Sequence, residues 1–165
     1  MTATTETVRV RVKVNGEEVV HDVEPRRLLV DFIRHDLGLT GTHVGCEQGV
    51  CGMCTVLLDG EPIKSCLMLA PQADGREITT VESLNGEELH PLQRAFKEHH
   101  GLQCGYCTPA MLMISLALGS RGVPLDHTRL KEELAGVLCR CTGYQKIYDA
   151  VESYLSEVAG DGSAP

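Results

Sequence analysis

The sequence predicts an α+β chain of two small domains: a mixed sheet with one packed helix, then an all-α four-helix bundle. Three observations carry that prediction. Val8, Val10, Val12 and Val14 alternate with Arg9, Arg11 and Lys13, the period of a half-buried strand. Beyond the polar, turn-rich Asn85-Gly86-Glu87-Glu88, the apolar spacing changes from two to that of helices. The eight cysteines of the 165-residue chain divide four and four across that change, which suits two small domains that each need a staple. The predicted division is 1–82 and 83–158, with 159–165, mostly Gly, Ser, Ala and Asp, as a disordered tail.

Asn15-Gly16 supplies a two-residue hairpin turn, and the return strand runs from Glu17 to Val23, ended by Pro25. The basic residues of the first strand fall on its solvent face. Leu29, Phe32, Ile33 and Leu37 follow at helical spacing with Gly38 as C-cap, a helix expected to pack on the hairpin. After a cysteine-rich loop, Thr55 to Leu58, the turn Asp59-Gly60 and Ile63 to Leu67 predict a second hairpin, with Cys66 facing back to the loop. Arg76 to Val81 offers one more strand. In the second half, Pro91 opens a helix with Leu92, Ala95, Phe96 and His99 on one face and Gly101 as its stop. Thr108-Pro109 opens a second, Ala110 to Leu118, apolar nearly all round and therefore buried, with Gly119 after it. Met111 and Met113 belong to its core contacts. Asp126 caps a third helix through Leu138, and Thr142 or Gly143 precedes a fourth carrying Ile147, Val151, Tyr154, Leu155 and Val158.

The net charge of −8 argues against nucleic acid and anionic membranes as partners; it suits either solubility or docking to basic protein surfaces. The opening Met1-Thr2-Ala3-Thr4-Thr5-Glu6 has no apolar targeting run, and Asp31, Arg34, His35 and Asp36 interrupt any export signal after Arg26-Arg27. A cytoplasmic chain without membrane insertion is expected. No G-x-G-x-x-G, phosphate loop or paired acid and base is present, so the chain is expected to have no catalytic residues of its own.

Cys46, Cys51 and Cys54 are spaced C-x4-C-x2-C, and Cys66 follows after eleven residues, the ligand spacing of a plant-type [2Fe-2S] site. Gly45, Gly49 and Gly52 let the backbone curve around such a cluster, with amides free to hydrogen-bond its sulfurs. Disulfides need an oxidising compartment, zinc favours two separated C-x2-C knuckles, and a catalytic thiol needs a base where only His43, read as a loop or packing histidine, is near. In the second half, Cys104-Gly105-Tyr106-Cys107 and Cys139-Arg140-Cys141 each fall just ahead of a predicted helix N-terminus, whose dipole favours an anionic group. Taken alone, these four allow either a second cluster or zinc. Two oxidised clusters of charge −2 would take the chain to roughly −12.

The whole pattern, C-x4-C-x2-C-x11-C followed by C-x2-C-x31-C-x-C, includes Gln103-Cys104-Gly105-Tyr106-Cys107-Thr108-Pro109 and Cys139-Arg140-Cys141-Thr142-Gly143-Tyr144. It resembles the iron-sulfur small subunit of the molybdenum hydroxylases, the xanthine oxidase and carbon monoxide dehydrogenase family, from Val8 to Val158. The resemblance implies a plant-type ferredoxin-like (β-grasp) domain and a helical domain, each with one [2Fe-2S] cluster. Cys46, Cys51, Cys54 and Cys66 would hold the first and Cys104, Cys107, Cys139 and Cys141 the second. It further implies a molybdenum-binding large subunit, an FAD-binding medium subunit and a dimer of heterotrimers. Gln103 and Cys141 would meet the pterin end of the molybdenum cofactor, with a local helix-end hydrogen bond as the alternative for Gln103. The implied function is an electron relay from the molybdenum subunit to a flavin subunit or another acceptor, in a dehydrogenase that hydroxylates an aldehyde, an N-heteroaromatic ring or a similar small substrate. A freestanding ferredoxin-like carrier and a zinc-stapled interaction module are the competing functions. Met53 and Ala110 replace the smaller residue and the glycine common in the family; Met53 is expected to alter solvent access to the first cluster, Ala110 to be harmless.

Overall fold

The computed structural model describes residues 6–122 and 126–161. β1 (Val8–Val14) and β2 (Glu17–Val23) form the predicted antiparallel hairpin, Val12 facing Val19 across it. Asn15 (φ 50°) and Gly16 (φ 90°) take the left-handed backbone that a tight hairpin turn needs. The sheet order is β2-β1-β5-β3-β4, where β3 is Thr55–Leu58, β4 Glu61–Lys64 and β5 Glu77–Thr79. Only the β1–β5 pairing is parallel among the described strands.

Alternation sorts β1 as expected. Val10, Val12 and Val14 are buried with Leu29, Phe32, Ile33 and Ile78, while Arg9 pairs with Asp22 at 3.0 Å and Lys13 with Glu77 at 3.1 Å in water. Such exposed pairs contribute about 0–1 kcal/mol each, so the valines dominate. The predicted helix starts as α1 (Leu29–Asp31) but continues as a π-helical turn, Phe32–Asp36. There the N–H of Leu37 donates to the Phe32 carbonyl at 3.0 Å, five residues back, before Gly38 (φ 73°) ends it.

Two strands are shorter than the spacing predicts. The return strand stops at Lys64, because both the N–H and the hydroxyl of Ser65 donate to the Cys54 carbonyl, at 3.2 and 2.6 Å. Ser65–Leu67 then form a 3-10 turn that carries Cys66 inward. β5 ends at Thr79, since Thr80 donates its N–H to the Asn15 side chain at 2.8 Å and the chain turns away through Val81–Leu84.

β3 connects the halves. All four of its residues are buried. Val56 and Leu58 face the sheet core, whereas Leu57 joins Met53 and Leu84 in the core of the helical half. A strand covered on both faces reads as a continuous apolar run, which Thr55-Val56-Leu57-Leu58 nearly is.

The bundle comprises α2 (Pro91–Glu98), α3 (Thr108–Arg121), α4 (His127–Leu134) and α5 (Gln145–Asp161). α5 packs on the other three, and α3 also packs on β3. Pro91 sits in the first turn of α2 behind a His90–Gln93 capping box, and Asp126 caps α4 by accepting from the Arg129 N–H at 2.8 Å. His99 caps α2 rather than continuing its apolar face, and the Gly101 N–H closes the end on Phe96 at 2.8 Å.

Three helix ends differ from the prediction. Gly119 does not stop α3: an ideal Cβ there would lie 2.7 Å from the Tyr154 hydroxyl, so it is a packing glycine, and the helix runs to a left-handed Gly122. α4 stops at Leu134, well before Leu138, whose N–H leaves for the Cys51 carbonyl at 2.9 Å instead of an intrahelical partner. α5 continues through Asp161, so 159–161 are helix rather than the start of a disordered tail; 162–165 lie outside the described residues.

Gly52 packs directly against the backbone of the other half. Its φ is +74°, and an ideal Cβ would stand 2.1 Å from the Gly136 carbonyl oxygen. Gly52→Ala is expected to cost about 2 kcal/mol or more, from left-handed backbone plus displacement of Gly136. Gly60→Ala carries a similar φ (+83°) with nothing within 4 Å, and should cost about 1 kcal/mol. Thermal unfolding of the two variants checks this; equal losses would contradict the contact.

Candidate metal centres

All eight cysteines are free thiols, gathered at two neighbouring places. In the first, the loop Gly45–Cys54 is curved by left-handed backbone at Gly49 and Gly52 and also at Glu47 (φ 53°), which its residue type did not signal. The curvature turns amides toward sulfur: the N–H groups of Gln48 and Cys51 donate to Cys46 Sγ at 3.4 and 3.3 Å. The Cys66 N–H donates to Cys54 Sγ at 3.4 Å. Cys54 and Cys66 are buried beside Val30, while Cys46 and Cys51 are partly exposed.

These environments split the thiols chemically. The Cys51 N–H, then that of Gln48, hold the Cys46 thiol down at about 6. Burial pushes Cys54 up to about 11. A cation arriving here finds one sulfur ready as thiolate and another from which it must displace a proton.

The second place lies between α2 and α3 on one side and α4 and α5 on the other. Cys107 caps α3, as the sequence placed it, and Cys139 and Cys141 precede α5. Burial pushes Cys107 up to about 12, with Cys139 beside it. Cys104 is exposed and held below the usual thiol range by the Tyr106 N–H, then by Cys141. Cys139 Sγ lies 3.1 Å from Thr142 Oγ1 and accepts the Thr142 N–H at 3.5 Å. Among neighbouring thiols, Cys51 acts most on the ionisation of Cys46, Cys66 on Cys54, Cys104 on Cys141 and Cys139 on Cys107. Among the described residues, no three His, Cys, Asp or Glu side chains form a group suited to a single metal ion.

A cavity of about 200 Å³ opens beside the second set, lined by Gln103, Cys104, Cys139, Arg140 and Cys141 together with Met53. Gln103 is exposed on it. Met53 is 6% exposed and lies between the two sets: it lines the cavity of the second, and its Cγ stands 3.2 Å from where a Cβ on Gly45 of the first loop would be. Ala110 is fully buried in α3. His43 is a packing histidine: its ring stacks on Tyr106 with centroids 4.7 Å apart, and its Nδ1 lies 2.8 Å from the Tyr106 carbonyl. The Tyr106 hydroxyl in turn donates to the Val44 carbonyl at 2.6 Å. Sequence reasoning singled out neither Leu138, whose N–H reaches Cys51, nor Thr142 as a hydroxyl beside sulfur. The only available signal was that each adjoins Cys139-Arg140-Cys141.

Comparison with known proteins matches both halves to cluster-binding families. Residues 12–84 match the 2Fe-2S iron-sulfur cluster binding domain and residues 80–152 the [2Fe-2S] binding domain. The chain is 56% identical over 144 residues to the 6-hydroxypseudooxynicotine dehydrogenase complex subunit beta of Paenarthrobacter nicotinovorans, covering 86% of this chain and 90% of that one. It is 51% identical to the caffeine dehydrogenase subunit gamma of Pseudomonas sp. (strain CBB1), covering 87% and 89%. The fold superposes on the crystal structure of quinoline 2-oxidoreductase from Pseudomonas putida 86 with a TM-score of 0.89 at 47% identity, covering 94% of this chain and 98% of that one. With two [2Fe-2S]-binding domains in the order of these relatives and likeness along nearly its whole length, the chain belongs to the iron-sulfur small subunits of the molybdenum hydroxylases, the xanthine oxidase family.

Proposed function

We propose that the chain relays electrons from a molybdenum-pterin centre on a larger partner subunit, through its second [2Fe-2S] cluster and then its first, to an FAD-binding subunit. Cys46, Cys51, Cys54 and Cys66 hold the first cluster, and Cys104, Cys107, Cys139 and Cys141 the second. Each cluster takes one electron, so two accommodate the pair released by a two-electron oxidation. The observation that carries this reading is the joint between the two cysteine sets. The Leu138 N–H donates to the carbonyl of Cys51 at 2.9 Å, and Leu138 is bonded directly to Cys139. One hydrogen bond and one peptide unit thus separate a cysteine of each set.

The thiol pairs fit such clusters, since each iron of a [2Fe-2S] rhomb takes two protein sulfurs. Amide donors at Cys46, Cys54 and Cys139 suit thiolates already committed to metal. Gln103 and Cys141 are read as the contacts to the pterin, a role favoured by their exposure at the cavity of the second site. The boundary between domains is placed at 82 and 83, in the turn that leaves the sheet. The assembly is read as a dimer of heterotrimers in the cytoplasm, where the eight thiols stay reduced. Relatives named for 6-hydroxypseudooxynicotine, caffeine and nicotine favour an N-heteroaromatic substrate, bound by the large subunit. No described helix is long and apolar enough to cross a membrane.

Three measurements test this reading. Purification at native expression should yield the chain with two larger polypeptides and bound FAD; a free monomer competent in electron transfer would sink the subunit reading. Cys104→Ser is expected to diminish one [2Fe-2S] paramagnetic signal of the reduced complex and Cys46→Ser the other; loss of the same signal in both variants would break the four-and-four assignment. Gln103→Ala should slow reduction of the clusters by substrate about tenfold, a barrier rise of ~1.4 kcal/mol, with both clusters retained. Unchanged kinetics would remove Gln103 from the entry point.

A further inference from the structure

The side chain of Thr142 occupies a constrained hydrogen-bonding position. Gly143 (φ 64°) and Tyr144 (φ 68°) both take left-handed backbone, folding the chain so that the Tyr144 N–H donates to Thr142 Oγ1 at 3.0 Å. The Tyr144 hydroxyl returns to accept the Cys139 N–H at 2.8 Å. With an oxygen lone pair occupied by Tyr144, the Thr142 hydroxyl lies 3.1 Å from Cys139 Sγ. A thiol there could act as donor or acceptor. A thiolate bound to iron has no proton, and the hydroxyl is then the sole donor of the pair.

We propose that Thr142 is a positioning residue that sets the reduction potential of the second cluster by donating its hydroxyl proton to the Cys139 sulfur. The inference rests on Cys139 being a ligand of that cluster. Reduction adds one electron and turns one ferric ion ferrous, so negative charge on the ligand sulfurs rises and a donor to sulfur stabilises the reduced form more. In the first set the hydrogen bonds to sulfur among the described residues come from backbone amides, at Cys46 and Cys54, which only a change to proline would delete. At Cys139 a replaceable side chain adds to the Thr142 amide. The second cluster can therefore be tuned by one side chain independently of the first.

The test is a dithionite titration of the intact complex, each cluster followed by its own paramagnetic signal. Thr142→Val should shift the equilibrium of the second cluster about tenfold toward the oxidised form, a fall of about 59 mV for one electron. The first cluster should stay unmoved, and Thr142→Ser should restore the native potential. Thr142→Ala carries the same expectation should the valine variant assemble poorly. An unshifted second potential in an assembled variant, equal shifts of both clusters, or failure of the serine variant to restore the value overturns the proposal. So does loss of the cluster in both the valine and alanine variants, which would make Thr142 purely structural. Cys139→Ser separates the premise: retention of both native signals there removes the ligand assignment itself, whatever Thr142 does.

Discussion

A backbone hydrogen bond from the N–H of Leu138 to the carbonyl of Cys51 ties the two cysteine sets together where the halves of the molecule meet. Gly52 beside it leaves room for the approach, since a methyl group there would collide with the Gly136 carbonyl. Around it the apolar contact closes: Met53 and Leu57 of the sheet half enter the same core as Leu134, Val137 and α3. On the other flank, His43 stacks on Tyr106 and the Tyr106 hydroxyl holds Val44. The cysteine loops are thus fixed to each other by backbone and by buried side chains, rather than by the linker alone. For a relay this matters more than the stability of either half, because electron transfer depends on the distance that the joint sets.

Each cysteine set has an inner and an outer side. Cys54, Cys66 and Cys107 are buried, while Cys104 and Cys141 are exposed and Cys46 and Cys51 partly so. Burial keeps Cys54 and Cys107 protonated when no cation is present. Were these cysteines to bind metal, those protons would have to be displaced, which would couple assembly to folding in both domains. The outer sulfurs, held lower by backbone amides at Cys46 and Cys104, would be the first thiolates available to incoming iron. An acidic chain with few aromatic residues gains from such staples what it lacks in large apolar side chains.

Much of this was legible in the residues. The alternation of Val8 to Val14, the Asn15-Gly16 turn, the apolar surround of α3 and the Asp126 cap all predicted what is observed. The spacing of the eight cysteines, and the resemblance it carries, pointed to the two cluster domains that the family matches bear out. Several of the misses share one cause, a tertiary contact that overrides a local signal. Leu138 abandons α4 for Cys51, Ser65 bends the end of β4 toward Cys54, and Gly119 stays in α3 to admit Tyr154. Met53, expected beside the first set, also lines the cavity of the second, a contact across the joint that local spacing does not signal. Thr142 was invisible because a hydroxyl gives no periodic signal.

As a relay, the chain would hold two [2Fe-2S] clusters side by side across this joint. Paramagnetic resonance of the fully reduced complex tests it most directly. Two distinct signals, one from each domain and each broadened by the magnetic field of the other, are the predicted result. A single signal, or two that are indifferent to each other's oxidation state, would contradict it.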